Sequence, residues 1–511
     1  MSKRPMAEPL DAPAPPAPAE PPPPPAPPEL ALELEFPAAA EAALLRHPAL
    51  AGRQGRARRT ALDLVWLDTA EGRLAAEGAC LEQPRRGERQ LRRMLPAGDG
   101  PAWPGRPDPA IPAPEAAAAM MPVAGFTGSE RRFAADGLAV TLTVGKLRAV
   151  AAEAEVGRLV LAGPAAQVFA TARTLAATLP LLPPRAGLAE TGHALSLLAE
   201  EGSPAVRPRR SGAPDLSGAA TIGAALEGVL GHLAEVMLYQ APLARATAGP
   251  EGVHQLRVAA RRARSALKVF RPVARSPLLT RVEAGLKAVA GALGPARDWD
   301  VFLGGIAAEL EAALGDDPAA ARGLAWLRTA ALARRAAAYA ALDAELASPA
   351  FRLLMLDMAA AAAGLWTEEA ERAEAGAPLR DFASALLDKR WRRLLADGET
   401  IETLPEAELH LLRLEGKRLR YAAEFFAPLW AGKPAKRFLR RLADLQEALG
   451  VANDTAVARG LVRALEGGRE ADRRWAAGLV EGWTLAGGRR ARKQAVRAFK
   501  AFARRDAFWE D

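Results

Sequence analysis

What is scarce in this chain narrows its chemistry. Cysteine occurs once, at Cys80, which excludes an intrachain disulfide and any cysteine-rich zinc site and permits a reducing compartment. Aromatic and β-branched residues are few, while Ala, Leu, Arg and Glu dominate, a balance that favours helices. No uncharged run reaches bilayer-spanning length; the apolar stretch around Met355 is broken by Asp357, so no membrane span is expected. The opening MSKRPMAEPLDAPAPP lacks an apolar run. No signal peptide is therefore expected, and the cytoplasm is the expected compartment.

What is present is length and positive charge. With 511 residues the chain has room for more than one domain, each able to bury its own core. A formal net charge of +8 favours polyanionic partners without choosing among nucleic acid, acidic lipid and phosphate polymers. Residues 1–28 form a Pro/Ala tract that reads as a disordered or polyproline tail. Residues 29–200 read as mixed α+β. ELALELEF (Glu29–Phe36), ALDLVWLD (Ala61–Asp68) and GLAVTLTVGKLRAV (Gly137–Val150) are strand-like, and QVFATARTLAATL (Gln167–Leu179) is helical. The Pro/Gly-rich stretch 96–122 reads as an irregular loop, 201–217 as a turn-rich linker, and 218–505 as helix throughout.

The helical half contains a duplication. HQLRVAARRARSALKVF (His254–Phe270) recurs as HLLRLEGKRLRYAAEFF (His410–Phe426), and LGPARD at Leu293 recurs as LGVAND at Leu449. Positions 254 and 410, and positions 293 and 449, are both 156 residues apart; two motifs sharing one step mark a duplicated unit. At about 100° per residue, His254, Arg257, Arg261 and Arg264 fall within about 80° of arc, with Leu256, Ala259, Ala263, Leu267 and Phe270 opposite. His410, Arg413, Lys417 and Arg420 repeat that face, while Arg262 and Arg418 lie on its flank. Neither helix places an acid four residues before these arginines on that face. Such clustered cations repel one another unless a ligand offsets them. Guanidinium forks match phosphate oxygens bidentately, so a phosphate polyanion is the natural complement. The histidines are expected to serve as further phosphate donors rather than metal ligands, because no second His or Cys stands at ligand spacing and the neighbouring cations repel a metal. Asp298 and Asp454, after each Leu-Gly, are expected to be helix N-caps or partners that orient the arginines. Apart from Tyr421 the basic faces hold no aromatics, which favours a polymer without bases over single-stranded nucleic acid. Arg281, Lys287, Arg437, Arg440 and Arg441 are candidate extensions of the strip.

His-x-x-Arg-x-x-x-(Arg/Lys)-Arg-x-Arg in both halves, with Leu-Gly-x-x-(Arg/Asn)-Asp after each, resembles the CHAD domain. The resemblance implies an all-α domain of two pseudo-twofold-related antiparallel helical bundles. In it His254, Arg257, Arg261, Arg262, Arg264, His410, Arg413, Lys417, Arg418 and Arg420 line a groove for inorganic polyphosphate, with no cofactor required. It also implies association with polyphosphate granules.

The first half resembles the CYTH domain, the triphosphate-tunnel fold, through ELEF followed by a helix, WLDTAEGRLAAEGACLEQPRR and PLLPPRAGLAETGHAL. That resemblance implies an antiparallel β tunnel or barrel binding triphosphate with Mg²⁺ or Mn²⁺. Asp68, Thr69 and Leu74 fit the family's Asp-Thr-x-x-x-x-Leu. The first strand, however, reads Ala31-x-Glu33-x-Glu35 where Glu-x-Glu-x-Lys is expected, and Gly187-Leu188 replaces a Ser-Lys. The residual carboxylates are Glu33, Glu35, Glu153 and Glu155, and the motif is degenerate. The leading expectation is thus a non-catalytic polyphosphate-binding protein. The alternatives are a metal-dependent tri- or polyphosphatase acting through the first domain, and a nucleic-acid binder.

Overall fold

A computed structural model describes residues 29–93, 120–150, 152–201, 208, 212–367, 372–430, 432–504 and 507–510. The proline-rich tail at 1–28 and most of the expected loop at 96–122 lie outside them. The first half forms one antiparallel sheet from β1 (Glu29–Phe36), β2 (Arg53–Thr69), β3 (Ala79–Pro84), β4 (Gln90–Arg93), β5 (Met120–Ala135), β6 (Leu138–Arg148) and β7 (Glu153–Pro164). Its strand order is β1-β7-β6-β5-β2-β3-β4. Among the described residues no ladder joins β4 back to β1. The sheet is therefore open there, where the family resemblance implied a closed tunnel. The helices of this half are the short α1 (Glu41–Arg46) and α2 (Arg73–Ala76), then α3 (Ala165–Thr178) and α4 (Leu188–Glu201).

Alternation sorts each strand between two faces. Leu32, Leu34 and Phe36 of β1 share a face with Leu159 and Leu161 of β7, and this face buries against Val168, Phe169 and Ala172 of α3. The other face carries Trp66, Ala124, Phe126 and Leu147 under α4. Gly192 of α4 permits that approach, since a Cβ there would stand 3.0 Å from the Trp66 ring. Asp68 is nearly inaccessible, and its carboxylate accepts the backbone N–H groups of Thr69, Leu74 and Ala75 at 2.6, 2.9 and 2.9 Å. The Asp-Thr-x-x-x-x-Leu signature is thereby a backbone cap on α2, with Leu74 buried beneath it. It shapes a turn.

The second half comprises α5 (Ile222–Gln240), α6 (Pro250–Phe270), α7 (Pro277–Phe302), α8 (Ala308–Leu314), α9 (Ala321–Ala347), α10 (Pro349–Ala362), α11 (Arg372–Ala375), α12 (Leu379–Gly398), α13 (Glu406–Phe426), α14 (Lys433–Arg463) and α15 (Glu470–Ala503). A π-helical turn at Leu303–Ala307 joins α7 to α8. The repeated segments coincide with α6 and α13, and the repeated Leu-Gly signatures lie within α7 and α14. Across the two copies α6 packs on α13, α7 on α14 and α9 on α15. The segment from Ile222 to Leu243 is long and apolar enough to cross a membrane, and it lies mostly buried as the centre of this helical core.

The two halves share one continuous core that runs from the sheet through α3 into the helices. At this junction the buried Asp357 of α10 pairs with Arg173 of α3 and, at 3.3 Å, with Arg281 of α7. Arg281 is therefore a junction residue, although its charge alone had marked it as an extension of the basic strip. Removing one partner of a buried pair leaves uncompensated charge. Asp357→Ala should destabilise the folded chain by about 3 kcal/mol, the lower end of the range for buried pairs because both arginines keep some solvent. Chemical denaturation followed by circular dichroism checks this, and an unchanged midpoint would refute the bridging role.

Candidate functional site

Both basic helices start on a proline turn, with Pro250 at the first position of α6 and Pro405 preceding α13. Their apolar sides drive the placement. Phe270 meets Phe426 edge to face with ring centroids 6.0 Å apart, and Phe382 of α12 packs on both at 5.7 and 6.3 Å. The equivalent phenylalanines of the two copies thus hold the helices together at their C-terminal ends. Where α13 packs on α14, Gly416 leaves room for the Gln446 side chain, whose amide nitrogen would stand 2.1 Å from a Cβ there.

Toward their N-terminal ends the two helices line one cavity of about 620 Å³. Arg257 and Arg261 enter from α6, Arg413 and Lys417 from α13, and Arg297 from α7. The sequence repeat therefore converges on a single site rather than two separate surfaces. Two carboxylates, Asp298 and Glu309, also reach the lining, so cations outnumber anions there. Burial pulls the pKa of Arg257 down; Asp298 opposes the shift, and Arg261 and Arg297 add to it. Asp298 lies inside α7, so it is no N-cap; its charge bears on Arg257, as expected of an orienting partner. Position 454 likewise falls within α14, and its side chain lies outside the description. The buried Nε atoms of Arg261 and Arg264 have no hydrogen-bond partner. Arg261 also sits over the buried Tyr421 ring at 5.4 Å, a cation–π contact that fixes the guanidinium.

The other sequence-marked cations lie outside that lining. His254 is half-buried and His410 exposed. Arg262 and Arg420 share Glu424, at 3.1 and 2.7 Å, and Arg262 also donates to the Gly212 carbonyl at 3.1 Å. Arg418 pairs with Glu415, which Arg393 also approaches at 3.4 Å. The acids that offset these arginines stand four residues after Arg420 and three before Arg418. A search confined to the position four residues before each arginine passes over both.

Sequence reasoning missed three cations. Arg297 lies inside the Leu-Gly signature and was legible there. Arg390 of α12 donates to the Arg418 carbonyl at 2.6 Å, and burial, then the Arg418 charge, push its pKa down to about 10; it stays charged at neutral pH. Lys268 is lowered by burial and by Arg264 and Arg418, so these cations crowd one region beyond the cavity. The cavity also has an apolar side formed by Val301, Ile306, Val457 and Leu461, with Trp483 from α15. The absence of aromatics from the basic helices therefore does not extend to the site.

The residual carboxylates of the sheet do not assemble. Register puts Glu33 and Glu35 on the face of Arg158, whereas Glu153 and Glu155 share the opposite face with Leu159. Arg158 is buried and binds Glu35 at 2.8 Å, approaches Glu33 at 3.6 Å and donates to the Ala186 carbonyl at 3.0 Å. Burial raises the Glu33 pKa, Arg158 opposes the shift and Glu35 adds to it. Glu153 and Glu155 pair with Arg148 and Lys146 at 3.0 and 3.9 Å. Among the described residues no group of three or more His, Cys, Asp or Glu could hold a metal ion.

Comparison with known proteins bears on the helical half. The family model of the CHAD domain matches residues 228–463, which include α6, α13 and both Leu-Gly signatures. A crystal structure of the CHAD domain from the plant Ricinus communis is similar, at 28% identity over 58% of this chain and 95% of that one, with a TM-score of 0.46. PptA from Streptomyces chartreusis is similar at 21% identity over 55% of this chain and 100% of that one, with a TM-score of 0.44. No curated protein matches the chain. On the strength of the family model and the duplicated motifs it spans, the helical half of this chain contains a CHAD domain.

Proposed function

We propose that this CHAD domain binds inorganic polyphosphate, or a closely similar phosphate polyanion, in the cavity between α6 and α13. One observation carries the reading: Arg257, Arg261, Arg413 and Lys417, which hold equivalent places in two copies of one sequence motif, line the same cavity. Each repeat supplies half of the site, and an approximate twofold relates the halves. A linear phosphate chain offers closely spaced anionic oxygens to guanidinium forks and needs no base-reading groups. Binding needs no metal. The protein acts in the cytoplasm, on or near polyphosphate granules, and nucleic acid competes only weakly for the site.

We further propose that the open sheet is a degenerate CYTH-like domain that has lost its chemistry. A divalent ion bound with triphosphate needs converging oxygen ligands; here Arg158 occupies the ground between Glu33 and Glu35, and Glu153 and Glu155 face away. Mg²⁺ or Mn²⁺ would matter only to a catalytically active tunnel.

Two outcomes follow. Replacing Arg257, Arg261, Arg413 and Lys417 together by Ala should weaken long-chain polyphosphate binding by about 100-fold or more. Arg418→Ala and Arg420→Ala, whose guanidiniums already have carboxylate partners, should each cost less than about 3-fold. Calorimetric titration of the full-length variants decides this, and full affinity in the quadruple variant would remove the site assignment. Purified protein given tripolyphosphate and Mn²⁺ should release no phosphate above a buffer blank; metal-dependent turnover would restore the tunnel as an active site.

A further inference from the structure

The cavity is polarised along its length, and a bare phosphate chain uses only one end. Its cations stand on α6, on α13 and at Arg297 of α7. Its apolar side lies further along, at Val301 and the π-helical turn that carries Ile306, against Val457 and Leu461 of α14. At about 1.5 Å of rise per residue, Ile306 stands roughly 13 Å beyond Arg297. Val301 is 40% and Trp483 38% exposed, although both line a concavity. An apolar wall with a few placed polar groups inside a concavity is the composition of small-molecule sites. The Trp483 indole N–H donates to Glu309 at 3.0 Å, which ties the ring at this end. Glu309 repels phosphate, and its carboxylate is an acceptor suited to a hydroxyl or amine donor.

We infer that the cavity accepts a nucleoside polyphosphate, with its phosphates among Arg257, Arg261, Arg413 and Lys417 and its base against Trp483 and Val301. This inference rests on the proposed reading of the basic end and adds an organic group at the other. A flat base with a polyphosphate tail combines the three properties the lining offers: anionic oxygens for the forks, a π-face for the indole, and donors for Glu309. The polarity also sets an orientation, with the phosphate tail directed toward α6 and α13.

The test compares ATP with tripolyphosphate as ligands of the full-length protein, in metal-free buffer, by calorimetric titration. ATP should bind about 10-fold tighter or more, the scale of base stacking on an aromatic side chain. Trp483→Ala should remove that advantage and leave tripolyphosphate affinity unmoved. Val301→Ala, on a different helix and neutral, should reduce that advantage in the same way and guards against a local packing defect from the first substitution. ATP binding no tighter than tripolyphosphate would overturn the inference and leave polyphosphate binding intact. So would equal losses for both ligands in Trp483→Ala. Failure of both ligands to bind wild-type protein would overturn the reading of the basic end as well.

Discussion

The packing of Phe270 on Phe426 is the contact on which the helical half depends. It holds together two helices whose polar faces repel each other. Burying such a ring contributes about 1.5–3 kcal/mol. Two like charges about 8 Å apart repel by roughly 2 kcal/mol at an effective dielectric near 20, before screening by salt. Phe382 adds a third ring to the cluster. Burial at the C-terminal ends thus offsets charge crowding at the other end, where the cavity opens among Arg257, Arg261, Arg413 and Lys417. Glu415 and Glu424 partner the cations outside the cavity lining. Within the cavity lining cations outnumber carboxylates, which suits a polyanion.

Charge is arranged differently in the sheet and at the junction. In the sheet, Arg158 is held by Glu35, by Glu33 and by the Ala186 carbonyl, so its charge is offset by the strand beside it. At the junction Asp357 accepts two arginines from different elements. The buried Asp68 spends its lone pairs on backbone N–H groups. Each of these groups is a structural device. Among the described residues, the cavity differs in arrangement: cations from α6, α7 and α13 line one concavity and outnumber the two carboxylates there.

The legible parts of this architecture were those encoded along the chain. Helical periodicity gave α6 and α13, the shared 156-residue step between positions 254 and 410 marked them as copies, and alternation gave β1, much of β2 and β6. Contacts between distant elements were not legible. Trp483 reaches the cavity from α15, and Glu424 meets Arg262 across two helices. Whether Glu35 and Glu155 share a face depends on strand register, which periodicity within one strand leaves open. Asp298 was read in part: its influence on Arg257 followed from the motif, but a helix start did not, because α7 runs through it. The Leu-Gly pair that suggested a boundary lies inside α7, with Gly294 beside the Arg257 guanidinium.

The central claim is that two repeats build one site. The most direct measurement is the stoichiometry of a short inorganic polyphosphate on the full-length protein, read from a calorimetric titration at low salt, where surface charge is least screened. One equivalent per chain is expected, and alanine substitution of either Arg257 with Arg261 or Arg413 with Lys417 should abolish it. Two equivalents per chain, each lost separately with its own pair of residues, would contradict the account.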